Sequence, residues 1–459
     1  MLLAALACSD NVIPAEPTFD SFYFPAGLAV RHQPPGCAAG TAGCQSQLLV
    51  TSSNFDLRFD PAIGGTLIAV DVDRALAQAA AGGPSPLPVT PLGAVQIGSF
   101  GGELAVVDPE TCPGWTGPAQ ALVASRSQGN LHRVDIDAAG GLSCGESCIV
   151  PLDRKLADPF GVTVACGTFA PAPGAPPSPQ ALAFVTHLRA ADAHGWLSRV
   201  DLRATDGAGR LTSPISLVDL QLAPTGQAAF DAASARLYVT GRFATVGYSP
   251  LRWVEVASPG STPGTTNLFT AIRGADPRGI ALSTDRSRAY VAVRLYDPDV
   301  ALLFNGRPIL DSAGALAVLD ITELPEGGPS ARLLQLVPLD RGATEVRVLP
   351  RAGRRDLVVT TSTDDSTVTL YDDELGLVAR TFAVCGIPGA TDAAPAPCQA
   401  GAPSVGTQPF GLAVEPLASG LARIYVGSFD RGFVNVLQLD PLRPSAAPTA
   451  WIRIGPERP

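Results

Sequence analysis

The chain has 459 residues, of which 46% are hydrophobic and 16% charged, with a mean hydropathy of +0.22. That much apolar material can build a large core, which excludes a disordered chain. The formal net charge of −10 and a pI of about 4.9 exclude a broadly basic surface, so no nucleic-acid partner is expected.

The N-terminal "MLLAALACSDN" is an apolar run ending in small residues and Cys8. It resembles the end of a bacterial lipoprotein signal, which is cut before a cysteine that then carries lipid. Ala5 stands where such signals usually have leucine, and no basic residues precede the apolar run. The resemblance implies export, lipidation at Cys8, and anchoring to the outer membrane on its periplasmic or outer side. Residues 1–17 then form a signal remnant and tether, and 18–459 a single domain. No run of 18 apolar residues occurs, so membrane contact is expected only through the lipid.

Cysteine usage agrees with export. Without Cys8, eight cysteines remain, an even set that suggests disulfides. Cys37–Cys44, Cys144–Cys148 and Cys385–Cys398 are close enough in sequence to staple local loops, leaving Cys112 and Cys166. Zinc is the rival reading, but no Cys-x-x-Cys pair or nearby histidine supports it. No metal or cofactor is expected.

The 47 glycines and 43 prolines lie between short apolar runs and read as turns. No 15-residue window carries a clean helical period. Taken in chain order, the runs group in fours. The first unit has strands near 25–30, 47–54, 65–73 and 94–100, and the second near 102–108, 121–128, 130–137 and 148–153. The third has them near 159–164, 181–187, 195–202 and 215–222, and the fourth near 224–230, 235–242, 252–258 and 267–274. The fifth spans 277–283, 287–294, 314–321 and 331–339, and the sixth 344–350, 355–362, 366–372 and 377–384. The seventh spans 410–416, 422–428, 433–440 and 450–456. Most units open on Pro-x-Gly; the second and sixth do not.

A four-stranded meander cannot cover both its faces alone, so seven of them need stacking around an axis. The expected fold is all-β, a seven-bladed β-propeller of four-stranded antiparallel blades. The ring should close with little overlap. "FDSFYF" (19–24) should either add an outer strand to the last blade or cover the seam.

The recurring Pro-x-Gly-[Leu/Ile/Val]-Ala and Arg-x-Tyr-Val elements, with "ARLYVTGR" (235–242) the nearest match, resemble the Tyr-Val-Thr-Asn (YVTN) class of bacterial propeller repeats. "SNFDLRFDP…GGTLIAVDVD" also resembles lipid-anchored propellers of soil proteobacteria. The resemblance implies an extracytoplasmic location and binding or surface roles. A few relatives with similar repeats are lactonases or dehydrogenase subunits.

In such a meander, the turn after the second strand and the connection into the next blade share one face. Residues expected there are Asn54, Arg126, His187, Arg189, Arg242, Arg294, Ser362 and Ser428, with Arg278 on a connection. Guanidiniums converging on an axial funnel would attract a carboxylate, phosphate or acidic sugar. The structural alternative is that they pair with strand-end carboxylates such as Asp71, Asp135, Asp201 and Asp320. His187, His194 and Asp192 could approach one another in one turn, but their spacing matches no metal motif. No Gly-x-Ser-x-Gly occurs, Asp364–Asp365 reads as a hairpin turn, and catalytic residues are not identifiable.

The leading expectation is therefore a cell-envelope binding or scaffolding propeller whose partner is a protein, a glycan or a small anion. The alternatives are a lactonase-like hydrolase using the axial funnel, and a structural surface protein. A hydrolase should gather a metal or an acid–base pair at the axis. A scaffold should show an apolar or aromatic patch on one rim.

Overall fold

The computed structural model describes residues 15–456 except 154–155, 157, 171–173, 190–193, 207–209, 213–214, 222–223, 243–249, 257–263, 268–275, 295–301, 305–306, 310–313, 325–327, 330 and 384–407. Seven antiparallel sheets follow one another along the chain, each made from one continuous stretch. Blade 1 is Pro25–Gln33, Gln45–Ser52, Gly65–Asp71 and Pro91–Ile97. Blade 3 is Pro159–Phe169, Ser178–His187, Trp196–Asp201 and Ser216–Asp219, and blade 4 is Thr225–Asp231, Arg236–Gly241, Pro250–Glu255 and Gly264–Asn267. Blade 5 is Asp276–Leu282, Arg288–Arg294, Gly314–Asp320 and Arg332–Leu339, with two short hairpins inserted on either side of its third strand. Blade 6 is Ala343–Arg351, Arg354–Ser362, Thr367–Asp372 and Leu377–Ala383, and blade 7 is Pro409–Pro416, Ala422–Ser428, Phe433–Leu439 and Ala450–Ile454.

Blade 2 departs from the expected outline. Gly101–Val107, Ala119–Ser125 and Asn130–Ile136 are regular, but its outer edge is broken into Leu142–Ser143 and Ile149–Pro151. Both pieces pair with the third strand, and the Cys144–Cys148 disulfide spans the break. A helix, Val72–Ala80, also interrupts blade 1. Asp71 caps it by accepting from the Arg74 N–H at 2.9 Å, and Val72 and Ala75 bury its inner side.

Apolar burial explains why the blades need each other. Among the described residues, the buried apolar side chains fall into seven clusters, and each cluster joins two adjacent blades. One holds Leu49 and Leu67 of blade 1 against Ala121 and Val134 of blade 2, and another holds Tyr290 and Leu316 of blade 5 against Val346 and Val358 of blade 6. Each fully buried Leu or Val in such a wedge contributes about 1.5–3 kcal/mol, and none of it is available to a lone blade.

The seam between blades 7 and 1 is closed by backbone. Leu87 forms a parallel bridge with Ile454. Its N–H donates to the Arg453 carbonyl at 2.9 Å, and its carbonyl accepts from the Gly455 N–H at 2.8 Å. Phe22 is completely buried among Leu28, Tyr425 and Ile454. The aromatic segment before blade 1 therefore covers the seam and adds no outer strand.

Three disulfides form among the described residues: Cys37–Cys44, Cys112–Cys166 and Cys144–Cys148. Cys112–Cys166 ties blade 2 to blade 3. Cys385, Cys398 and Cys8 lie outside the described residues. The disulfides point to an oxidising, exported compartment. No described helix is long and apolar enough to cross a membrane.

Candidate functional site

Every inner strand opens with a bulge against its second strand. One residue of the bulged segment, the one immediately before Leu28, Leu104, Val162, Ala228, Ile280, Val346 and Leu412, occupies the same register in all seven blades. In blade order it is Gly27, Glu103, Gly161, Gln227, Gly279, Glu345 and Gly411. Glycine thus alternates with a long polar side chain around the axis. The glycines are needed for close approach: a Cβ on Gly27 would lie 2.6 Å from the Gly102 carbonyl, and one on Gly279 2.7 Å from that of Thr344. The blades without Pro-x-Gly, the second and sixth, are those that carry the two glutamates.

The polar side chains at this register meet one another. The Gln227 amide donates to Glu345 Oε1, and the Glu103 and Glu345 carboxyls face each other across Arg347. Arg347 lies 3.0 Å from Glu345 and 3.5 Å from Glu103. Burial pushes the Glu345 carboxyl well above the ordinary range, and the Glu103 charge adds to this. Glu103 is also raised by burial, with Arg347 pulling against it. Two buried carboxyls facing one guanidinium fit a pair that shares one proton.

Above this cluster lies an axial cavity of about 230 Å³. Gln227 and Glu345 line its floor, and Arg126, Arg242, Arg278, Phe160 and Phe410 line its walls. An adjoining cavity of about 100 Å³ shares Arg126, Phe160 and Phe410 and adds Phe55, Phe100 and Phe429. The phenylalanines form a chain of ring contacts. Centroids lie 6.1 Å apart for Phe160–Phe410, 5.5 Å for Phe410–Phe429, 5.4 Å for Phe429–Phe55 and 5.7 Å for Phe55–Phe100. Phe24 joins at 5.1 Å from Phe429. The funnel thus has a basic side from blades 2, 4 and 5 and an aromatic side centred on blades 7 and 1.

The arginines are held by carboxylates. Arg126 and Arg189 both bind Asp158, at 3.3 and 3.2 Å, and Arg242 and Arg278 both bind Asp276, at 3.5 and 2.6 Å. Arg294 lies 3.5 Å from Asp364 and donates to Thr344 and Thr363. These partners are not the strand-end residues Asp71, Asp135, Asp201 and Asp320. Asp71 caps the helix, Asp135 accepts from Gln120, Asp201 accepts from the Arg203 N–H, and Asp320 pairs with Arg332.

The expected face is therefore assembled unevenly. Arg126, Arg242 and Arg278 line the axial cavity, Arg294 braces Thr344 in its wall, and Arg189 points into solvent. Asn54 and His187 do not line it. Asn54 is fully buried with φ of 49° and pins its turn, donating to Ser99 Oγ at 2.9 Å and accepting from the Phe59 N–H. His187 is buried with Nε2 2.9 Å from Ser198 Oγ. His194 pairs with Asp219 at 3.2 Å, and Asp192 lies outside the described residues. The aromatic side was not expected from the sequence, although Phe429 directly follows the second strand of its blade, as Arg126 and Arg242 do in theirs, and Phe160 and Phe410 are the middle residues of Pro-x-Gly.

Two larger clefts, of about 390 and 430 Å³, lie between neighbouring blades. The axial cavity is smaller, but residues from six blades converge on it, which is the better mark of a built site. Among the described residues, one cluster has metal-ligand spacing: His132, Cys144 and Cys148. Its sulfurs are joined as a disulfide and His132 Nε2 accepts from the Gly98 N–H, so the two thiolates that a metal would need are not present.

No family model matches the chain. No curated protein matches it either. Solved structures do. Kuenenia stuttgartiensis hydrazine synthase is similar with a TM-score of 0.56 at 10% identity, over 93% of this chain and 99% of that one. A periplasmic gluconolactonase of Pseudomonas aeruginosa has a TM-score of 0.50 at 13% identity, over 94% of this chain and 98% of that one. At such identities the likeness is one of fold, and the fold is a seven-bladed β-propeller.

Proposed function

We propose that the chain is an exported cell-envelope propeller that binds a small organic anion in its axial funnel. The observation that carries this reading is the meeting of Arg126, Arg242 and Arg278 around one axial cavity in a protein of net charge −10. A guanidinium offers five donors in a fixed fork, so it can hold a protein carboxylate and a ligand anion together. The YVTN-like repeats and the disulfides support an extracytoplasmic role. Residues 1–17 are a signal remnant, cut before Cys8, and a tether lipidated at Cys8 that holds the ring formed by 18–459 at the outer membrane. Calorimetric titration with phosphate, acetate and gluconate tests the anion site; binding that survives Arg126→Gln together with Arg278→Gln sinks it. Mass spectrometry of the native N-terminus tests the anchor, which requires a diacylglyceryl group on Cys8.

A second reading is favoured by one observation, the Glu103–Glu345 pair beneath the cavity. A protonated carboxyl at the floor of a basic funnel is a general acid placed for lactone opening. Hydrolysis of glucono-δ-lactone, followed by acid release, tests it. This reading requires a rate above the spontaneous one that Glu345→Gln abolishes.

A further inference from the structure

The funnel's two sides differ in chemistry, and they meet at one residue. Arg126 lines both axial cavities. Its guanidinium carbon lies 5.9 Å from the centre of the Phe100 ring, and its charge is met by Asp158, which also serves Arg189. On one side lie Arg242 and Arg278; on the other lie Phe55, Phe100, Phe410 and Phe429.

We propose that the ligand is an amphipathic organic acid, an aryl- or arylalkyl-carboxylate, with its carboxylate on Arg126 in the larger cavity and its apolar body on the phenylalanines in the smaller. This rests on the anion-binding reading and deepens it. A purely polar anion would use the basic wall and leave Phe55, which is 52% exposed, in water. A neutral apolar ligand would cover the rings and leave the basic wall unused. Only a molecule with both parts matches both walls. The smaller cavity, at about 100 Å³, is of the size of a single aromatic ring, which sets the scale of the apolar part. Ring-on-ring contact in such a cradle contributes beyond area burial, and Phe100 adds a cation–π contact that already orients Arg126.

The test is calorimetric titration of the full-length protein with 3-phenylpropionate, 3-phenylpropanol and inorganic phosphate. The expected order is 3-phenylpropionate tightest, with the alcohol and phosphate each weaker by at least about tenfold, which corresponds to about 1.4 kcal/mol. Arg126→Gln should weaken 3-phenylpropionate by at least about tenfold and leave the alcohol unchanged. Phe55→Ser, at an exposed position, should weaken both ring compounds and leave phosphate unchanged. Thermal melts of each variant identify any loss that comes from misfolding, and Arg126→Lys, which keeps the charge, should restore part of the binding.

Phosphate binding as tight as 3-phenylpropionate, with no effect of Phe55→Ser, overturns the amphipathic ligand while leaving the anion site standing. Tight binding of the alcohol, insensitive to Arg126→Gln, overturns both. So does the absence of any binding. Concentration-dependent dimerisation that Phe55→Ser abolishes would assign the aromatic wall to a second copy of the chain, and that too overturns the proposal.

Discussion

Glu103 and Glu345 meet at Arg347 on the propeller axis, 3.5 and 3.0 Å from its guanidinium, although they belong to blades 2 and 6. They meet because both blades place a glutamate at the register where four others have glycine. Both carboxyls are buried and Arg347 bridges them from a partly exposed position, so the three side chains form one unit whose charge depends on a single proton.

That proton gives the first prediction. The Glu345 carboxyl is raised well above 4.5 in the folded chain. Its contribution to stability is therefore whole below an unfolded value near 4.5 and is lost as pH rises toward the folded value. Glu345→Gln keeps the shape and a donor without the titration. Its stability relative to wild type should rise with pH above 4.5, by up to about 1.4 kcal/mol per pH unit while the native carboxyl stays protonated. Urea unfolding at several pH values measures this, and a pH-independent difference rules out the shared proton.

His32 titrates in the same sense for a different reason. Its Nδ1 lies 2.8 Å from Glu110 and its Nε2 2.9 Å from Glu415, which joins blades 1, 2 and 7 near the seam. Hydrogen bonds to these two carboxylates raise its pKa to about 9, against the opposing effect of burial. The resulting stability is complete below 6.5 and disappears as pH passes about 9. After allowance for the imidazole's partial exposure, it is worth about 1–2 kcal/mol. Wild type should lose that amount between pH 6 and 9.5 in excess of His32→Gln, as measured by urea midpoints.

Cys112–Cys166 closes 54 residues and crosses from blade 2 to blade 3, whereas Cys37–Cys44 closes seven. Chain-entropy reasoning assigns about 4 kcal/mol to the first and about 2 kcal/mol to the second. Replacing both cysteines of each pair by alanine should reproduce that order in denaturation midpoints. The reverse order would mean that the inter-blade bond is not the dominant staple.

Phe22→Ala should cost about 3–5 kcal/mol, because it empties a fully enclosed site. The loss should be local in character. Hydrogen exchange should accelerate at the Leu87 and Gly455 amides, which carry the seam, and leave the wedge between blades 3 and 4 protected. Uniform acceleration around the ring would contradict a seam role for Phe22.

The repeat count was readable from the chain because every blade buries both faces of its second strand, leaving apolar runs such as "LLV" at 48–50 between turn residues. The helix at Val72–Ala80 escaped notice because nine residues cannot register in a search for long helical periods. The broken edge of blade 2 escaped because Cys144 and Cys148 bend the chain where a strand would continue. Arg126, Arg242 and Arg278 could be placed on one face from meander geometry alone. That same reasoning put Asn54 and His187 there, and it could not tell a side chain that faces the axis from one turned inward to hold its own turn. The axial glutamates were visible only as defects, the two units that lacked Pro-x-Gly. The aromatic wall was hidden because its members are scattered from Phe24 to Phe429 and come together only when the ring closes.

The closure itself has a consequence for how the gene could be rearranged. Among the described residues no strand is exchanged between the first and last blades; the join is the clasp of Leu87 on Arg453 and Gly455, with Phe22 beneath it. A Cβ on Gly455 would lie 3.0 Å from the Phe22 ring, so the two ends of the described chain are neighbours. A short linker from the segment after Gly455 to the one before Phe22, with new ends cut between blades 1 and 2, would leave all seven sheets and all seven wedges intact. The order in which the blades are written in the chain is thus interchangeable by rotation, and the ring has a beginning only in its sequence.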